Sequence, residues 1–290
     1  ERLRKGFTSW FSIFGLSDAE AAAIIYNQNI DILIDLSGHT AHHRLGVFAY
    51  RPARVQGSWL GYWASTGVEE IDFILGDPHV TPPEDQKYFT EEILRLPHTR
   101  FCFTPPSLSV LSTVRSQLER GQITFGCFSN IFKITLEVLQ CWSRILLAIP
   151  NSSICLKAPG LSETDAIDRI SQRLEDAGIG RNRVLLEGPS QRVQELEAYN
   201  RGDSVLDTFP YAGGTTTCEA LWMGVPVLTL RGDTLLSRQG VGILNNAGLA
   251  DWIAVDERDY VEKAIRFAQD PNALLELKRS LRTTVEMTPL

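Results

Sequence analysis

Short apolar runs alternate with amphipathic stretches along nearly the whole chain, and this alternation restricts the fold more than any other feature. Strands separated by crossover helices assemble into parallel sheets, with ligands held by the loops at the carboxyl ends of the strands. "SDAEAAAIIYNQN" opens on Ser17 with Glu20 three residues later, a capping-box start for a helix. The runs "IDILIDLSG" (a buried strand, Ile30 to Leu36), "ARVQGSWLG" and "EIDFILGD" follow as strands. From Gln122 the pattern restarts. "QITFGCF", "SSICLKA", "RVLLEG", "SVLDTF" and "PVLTL" read as strands. Between them lie helical stretches, among them "TLEVLQCWSRILLAI" with Leu136, Leu139, Ile145 and Leu146 at helical spacing. The second unit therefore reads as a complete doubly wound domain. The expected division is 1–120 and 121–290, with a cleft between the two parts.

Composition narrows the partners. A chain of 290 residues that is 43% hydrophobic and 22% charged is globular and long enough for two cores. A net charge of -7 argues against a nucleic-acid partner, which calls for a basic face. Five widely spaced cysteines without a C-x-x-C pair suggest neither a disulfide framework nor a zinc site, and fit a cytoplasmic setting. The apolar runs are too short to span a membrane. The chain begins "ERLRKGF" and ends "EMTPL", so it is expected to be a piece truncated at both ends.

The stretch "DTFPYAGGTTTCEALWMGVPVLTL", Asp207 to Leu230, has the chemistry of an anion site. A Pro/Gly turn leads into a helix that Thr215 or Thr216 is placed to cap, and amides at a helix start favour a phosphate or diphosphate. Glu219, one turn on, either accepts hydrogen bonds from ribose hydroxyls or is a solvated carboxylate. Lys133, at the end of a strand in "CFSNIFKIT", either neutralises a leaving diphosphate or is an ordinary surface lysine. No D-x-D pair is present to suggest a divalent metal on the diphosphate, so lysine and helix dipole form the metal-free alternative. The histidines of "HTAHH" read as polar loop residues rather than metal ligands.

The stretches "IDILIDLSGHT", "FAYRPARVQGSWLGY", "IDFILGDPHVTPPE", "FTEEILRLPHT", "FGCFSNIFKIT", "LDTFPYAGGTTTCEALWMGVPVLTL" and "GDTLLSR" together resemble the catalytic region of the O-GlcNAc transferase and SPINDLY-like glycosyltransferases. The order is the same and nearly the whole chain is covered. The resemblance implies a GT-B fold of two Rossmann-like domains, the first incomplete here and on the acceptor side, the second binding the nucleotide sugar. It implies inverting, metal-independent transfer of N-acetylglucosamine from UDP-GlcNAc to serine or threonine hydroxyls of proteins, with no cofactor. Tetratricopeptide repeats are expected ahead of this region. Fucosyl or other hexosyl transfer, and a non-catalytic nucleotide-binding or partner-binding module, are the alternatives.

The resemblance also assigns residues. Lys133 matches the lysine on the diphosphate, with Phe132 and Asn130 beside it. Gly214, Thr215 and Thr216 fall at the phosphate-binding helix start, and Glu219 at the ribose acid. Pro189, Ser190 and Arg192 lie in the segment flanking the uracil. Gly61, with Tyr62 next to it, belongs to the loop lining the sugar and acceptor pocket. Gly214 and Glu195 stand where eukaryotic members carry histidines, "YWAST" replaces Y-P-G-T-x, and Glu219 is one methylene longer than the usual aspartate. Active-site histidines expected before Glu1 and near Trp10 are not in the chain, and the isolated chain is expected to transfer sugar poorly.

Overall fold

The computed structural model describes residues 4–108, 110–113 and 122–290. They belong to two compact units, one of Glu1–Gly76 and Thr81–Leu96, the other of Asp77–Val80 and Pro97–Leu290. The boundary expected at residue 120 lies outside the described residues.

The first unit holds a parallel sheet of β1 (Ile32–Asp35), β2 (Val55–Ser58), β3 (Phe73–Gly76) and β4 (Glu92–Arg95), in that spatial order. Helix α1 (Asp18–Asn27) starts at Ser17 with the full capping box, the Ser17 side chain accepting from the Glu20 amide while Glu20 accepts from that of Ser17. Helix α2 (Leu45–Phe48) packs against it, and Ala21, Ala22, Leu45, Val47, Phe48 and Ile71 form the buried cluster. Arg44 ties the helices together, donating to the Asp18 carboxylate at 2.7 Å and to the carbonyls of Ile13 and Leu16. The strand expected over Ile30 to Leu36 is shorter, and not buried throughout: Ile32 and Leu36 are about 60% exposed. The reason is its place at the edge of the sheet, where one side has no neighbouring strand among the described residues.

The second unit is built on six parallel strands: β5 (Thr124–Cys127), β6 (Ser153–Lys157), β7 (Val184–Glu187), β8 (Ser204–Leu206), β9 (Val227–Leu230) and β10 (Ile253–Ala254). Their order is β10-β9-β8-β5-β6-β7. Helices α3 (Leu136–Ala148), α4 (Thr164–Asp176), α5 (Arg192–Tyr199), α6 (Thr215–Trp222) and α7 (Gln239–Asn246) connect successive strands, and α8 (Glu257–Gln269) and α9 (Pro271–Glu286) follow. Central strands buried on both faces explain the continuous apolar runs, and β5 is buried at every position. Within α3, Val138, Leu139, Cys141, Trp142, Ile145 and Leu146 face the core, each large side chain contributing about 1.5–3 kcal/mol. Leu136, expected on that face, is 60% exposed, because it opens the helix directly after the Thr135 cap.

No helix among the described residues is long and apolar enough to cross a membrane. Among the described residues no cysteine is in a disulfide, and of the five only Cys102 is exposed. Burial pushes the Cys127 and Cys218 thiols up to about 12 and that of Cys141 up to about 11. Thiols that are buried and protonated do not react. Brief iodoacetamide treatment of the folded chain at neutral pH should therefore modify Cys102 and spare the other four. Peptide mass spectrometry reads the outcome, and rapid alkylation of Cys127 would contradict the packing of β5.

Candidate functional site

Strand order reverses between β5 and β8. The chain moves outward on one side through β6 and β7, returns through α5 to β8, and then moves outward on the other side. The loops leaving the carboxyl ends of β5 and β8 therefore diverge there, the position at which open α/β sheets hold ligands.

The loop after β5 carries Asn130, Phe132 and Lys133. The Asn130 side chain accepts from the Phe132 amide at 3.0 Å and so caps the single turn Ile131–Lys133. Phe132 projects outward, 89% exposed. Lys133 is half-buried; its Nζ donates to the Ala212 carbonyl at 3.2 Å and lies 3.6 Å from the centre of the Tyr211 ring. Burial pulls its pKa down, while the charge of Asp207 acts the other way. It is not an ordinary surface lysine.

The loop after β8 closes on itself. Buried Asp207 accepts from the amides of Thr208 and Gly213 and from the Thr229 hydroxyl, at 2.8–2.9 Å. At Gly213 a Cβ would lie 2.5 Å from the Thr217 hydroxyl and 2.9 Å from that of Thr216, so a larger residue there forces both hydroxyls to move. The helix cap differs from expectation. Gly214 occupies the cap position, Thr215 is the first residue of α6, and no side chain caps the helix. The amides of the first turn are left for a ligand, and the dipole favours an anion. At Gly214 a Cβ would stand 3.2 Å from the Gln239 side-chain oxygen, so a larger residue there needs Gln239 to move.

Glu219 is buried, and the solvated alternative does not hold. Arg192 pairs with one of its carboxylate oxygens, and the Tyr199 hydroxyl donates to the other at 3.2 Å. Arg192 opens α5, so this pair joins the loop after β7 to α6. The same loop is braced by Glu195, which accepts from the Ser190 amide at 2.5 Å and from its hydroxyl at 3.1 Å. Buried Lys157, at the end of β6, donates to the Gly188 carbonyl at 2.7 Å and lies 3.7 Å from Glu195. Pro189 and Ser190 themselves are exposed. The ten candidate residues of this unit thus sit on three loops at the carboxyl edge of one sheet and on the helices that two of them open into; Lys133 links two of these segments and Arg192 two. Asp207, Tyr199 and Tyr211 belong to the same constellation and were not among the candidates. Only the acidic end of "SVLD" hints at the first.

Gly61 and Tyr62 belong to the first unit. They follow β2, next to the loop after β1 in which Asp35 accepts from the amides of Ser37 and Gly38 and from the Ser58 hydroxyl. Tyr62 stacks on Trp63 and meets His39 edge-on at 5.3 Å. His39 lies 3.2 Å from the Ser65 carbonyl, and the buried Glu91 carboxylate accepts from the Ser65 hydroxyl and the Thr66 amide. Among the described residues no group of three or more His, Cys, Asp or Glu side chains is arranged to hold a metal ion.

The profile of glycosyl transferase family 41 matches residues 13–104 and 103–290. A Petunia hybrida protein described as a probable UDP-N-acetylglucosamine--peptide N-acetylglucosaminyltransferase SPINDLY is 39% identical over 99% of this chain, which spans 31% of that protein. The Arabidopsis thaliana protein of the same description, but named SEC, is 27% identical over the whole chain and 30% of its own length. The chain thus spans about a third of these relatives. Among solved structures, the K341M mutant of Thermobaculum terrenum O-GlcNAc transferase superposes with a TM-score of 0.93 at 37% identity. That match covers 98% of this chain and 54% of the other.

Gly61 admits no side chain, because a Cβ there would lie 1.9 Å from the Leu36 carbonyl oxygen. The obstacle is backbone, so no rotamer relieves it. Gly61→Ala should destabilise the first unit by about 1–3 kcal/mol, the usual cost of overpacking. Urea unfolding measures this, and an unchanged midpoint would mean that the two loops do not approach as described.

Proposed function

Because the chain belongs to glycosyl transferase family 41 and has its α/β, GT-B-class fold, we propose that it carries the donor-binding and transfer chemistry of a protein O-GlcNAc transferase. The donor is UDP-GlcNAc and the acceptor a serine or threonine hydroxyl of a protein. The cytoplasmic setting read from the cysteines and the preceding tetratricopeptide repeats implied by the resemblance belong to the same reading.

The observation that carries the proposal is the convergence of the Lys133 ammonium and the uncapped start of α6 where strand order reverses. In an inverting transfer the acceptor oxygen bonds to the anomeric carbon as the bond from that carbon to the diphosphate breaks. The electron pair passes to the diphosphate, and the acceptor hydroxyl loses its proton. Lys133, the amides of the first turn of α6 and the hydroxyls of Thr215 and Thr216 are aimed at that growing negative charge, without a metal in this reading. Asn130, Phe132 and Gly214 border the same space. Glu219 spends one acceptor position of each oxygen on Arg192 and Tyr199, which leaves further lone pairs for ribose hydroxyls. Pro189, Ser190 and Arg192 would flank the base. The resemblance assigns Gly61 and Tyr62 to the sugar and acceptor pocket.

Two measurements test this. In calorimetry UDP should bind the 290-residue chain equally well with and without EDTA; binding abolished by the chelator would refute the metal-free account. In the full reading frame Lys133→Ala should cut kcat by about a hundredfold, since one donor aimed at developing charge contributes about 3 kcal/mol. UDP affinity should fall less, because α6 also holds the ground-state diphosphate, and Lys133→Arg should restore only part of the rate. Mass spectrometry of an acceptor protein given UDP- and GDP-sugars reads the transfer. A Lys133→Ala rate within about threefold of wild type removes its assigned role, and transfer from a GDP-sugar alone replaces the donor.

A further inference from the structure

One peptide bond joins the two charged side chains of the reversal point. The carbonyl of Ala212 accepts from Lys133 Nζ at 3.2 Å, and the N–H of Gly213, the other end of that peptide, donates to Asp207 Oδ1 at 2.8 Å. Ammonium and carboxylate thus polarise the same peptide from opposite ends, and each strengthens the bond that the other makes. Gly214, the residue before α6, comes directly after it.

Asp207 itself is held from several elements. Its amide donates to the Leu228 carbonyl of β9 at 2.9 Å, its Oδ2 accepts from Thr229 of the same strand, and its carbonyl accepts from the Tyr260 hydroxyl of α8 at 2.8 Å. Helix α7 approaches so closely that a Cβ on Gly240 would lie 3.1 Å from Oδ2. A carboxylate anchored in this way cannot follow the loop; the loop must follow it. We propose that Asp207 is a positioning residue for the transfer. Through the Ala212–Gly213 peptide it sets the Lys133 ammonium and the start of α6 in register with one another, and it supplies the buried counter-charge for that ammonium. This rests on the reading of Lys133 as the group that meets the diphosphate.

The electrostatics agree with the geometry. Burial raises the Asp207 carboxyl on balance, although the bond from Thr229, the Gly213 amide, the Lys133 charge and the Thr208 amide act against it. Burial lowers Lys133, and Asp207 raises it. The other groups that face Lys133 are the Cys127 thiol at the end of β5, which stays protonated to about 12, and the neutral face of Tyr211. The hydroxyl of Tyr260, which bonds the Asp207 carbonyl, is pushed well above its ordinary range by burial and is neutral too. Asp207 is therefore the acid whose charge Lys133 responds to.

The test removes the charge and keeps the shape. In Asp207→Asn the side-chain oxygen can still accept from Thr208 and Gly213, and the Thr229 hydroxyl can turn to accept from the new amide. The titration of Lys133 is followed by NMR of the 290-residue chain with 13C-labelled lysine, its signal assigned by its absence from Lys133→Arg. Lys133 should lose its proton at lower pH in Asp207→Asn than in wild type. The alkaline limb of kcat for the full reading frame should move the same way. In a Lys133→Arg background the substitution should leave that limb in place, because a guanidinium does not titrate there. Thr229→Val, which costs stability but keeps the charge, should leave the Lys133 titration unchanged. Should Asp207→Asn fail to fold, the reciprocal experiment decides: Lys133→Met should raise the pH at which the Asp207 carboxyl titrates. Coincident curves in either experiment overturn the proposal. Shifted curves together with a wild-type protein that transfers no sugar would instead overturn the functional reading on which it rests.

Discussion

The site depends on the reversal of strand order between β5 and β8. Parallel strands cannot be joined by tight turns, so each must be reached by a crossover that returns the chain to the same edge of the sheet. If the order ran in one direction only, the loops after β5, β7 and β8 would all turn toward the same face. Because the order reverses, the loops after β5 and β8 part, and backbone amides and a lysine are exposed inside the fork. Everything specific to this chain decorates that fork: the proline and glycines that shape the 207–214 loop, the lysine that reaches its carbonyl, and the acid that closes it.

The first unit uses a related device with different chemistry. Its loops after β1 and β2 are held by close backbone approach at Gly61 and by two buried carboxylates, Asp35 and Glu91, that accept from amides and hydroxyls. Leu60 pays in backbone strain, with φ at +67° in a region that side chains disfavour. A strained residue held by anchored neighbours marks a loop whose conformation is dictated by its surroundings. Here the surroundings present an aromatic pair, Tyr62 and Trp63, beside His39.

Much of this was legible in the residues. Apolar runs bounded by glycine located β2, β3 and the strands of the second unit through β9, and Ser17 with Glu20 located the start of α1. The three loops of the candidate site were legible as well, because strand ends followed by Gly, Thr or Lys are readable locally. What was not legible needs a neighbour distant in sequence. The exposure of Ile32 follows from its edge position, which the local pattern does not carry. That Gly214 and not a threonine takes the cap goes with a loop closed by the Gly213 amide on Asp207, six residues before Gly213. The pairing of Arg192 with Glu219 joins residues on two helices. Helices α8 and α9 carry local signals in Asp256, Asp270 and Pro271, which cap or open them, but the reading of strands ended at Leu230.

The cross-links also bear on how the site performs electrostatic work. Donors stabilise a developing charge most when they are oriented before it appears, since no free energy is then spent on turning them. Lys133 holds the 207–214 loop, Arg192 holds α6 through Glu219, and Tyr199 reaches both Glu219 and the Thr216 carbonyl. The bonds differ in weight. Arg192 is half exposed, so solvent screens its pair with Glu219 and the link is worth little in stability. Tyr199 is almost wholly buried, and loss of both its acceptors, Glu219 and the Thr216 carbonyl, would strand a hydroxyl in the core at about 1–3 kcal/mol. Orientation of α6 therefore rests on the buried bonds of Tyr199 and Asp207. The exposed Arg192 can yield its hydrogen bond to an incoming ligand without loosening the helix.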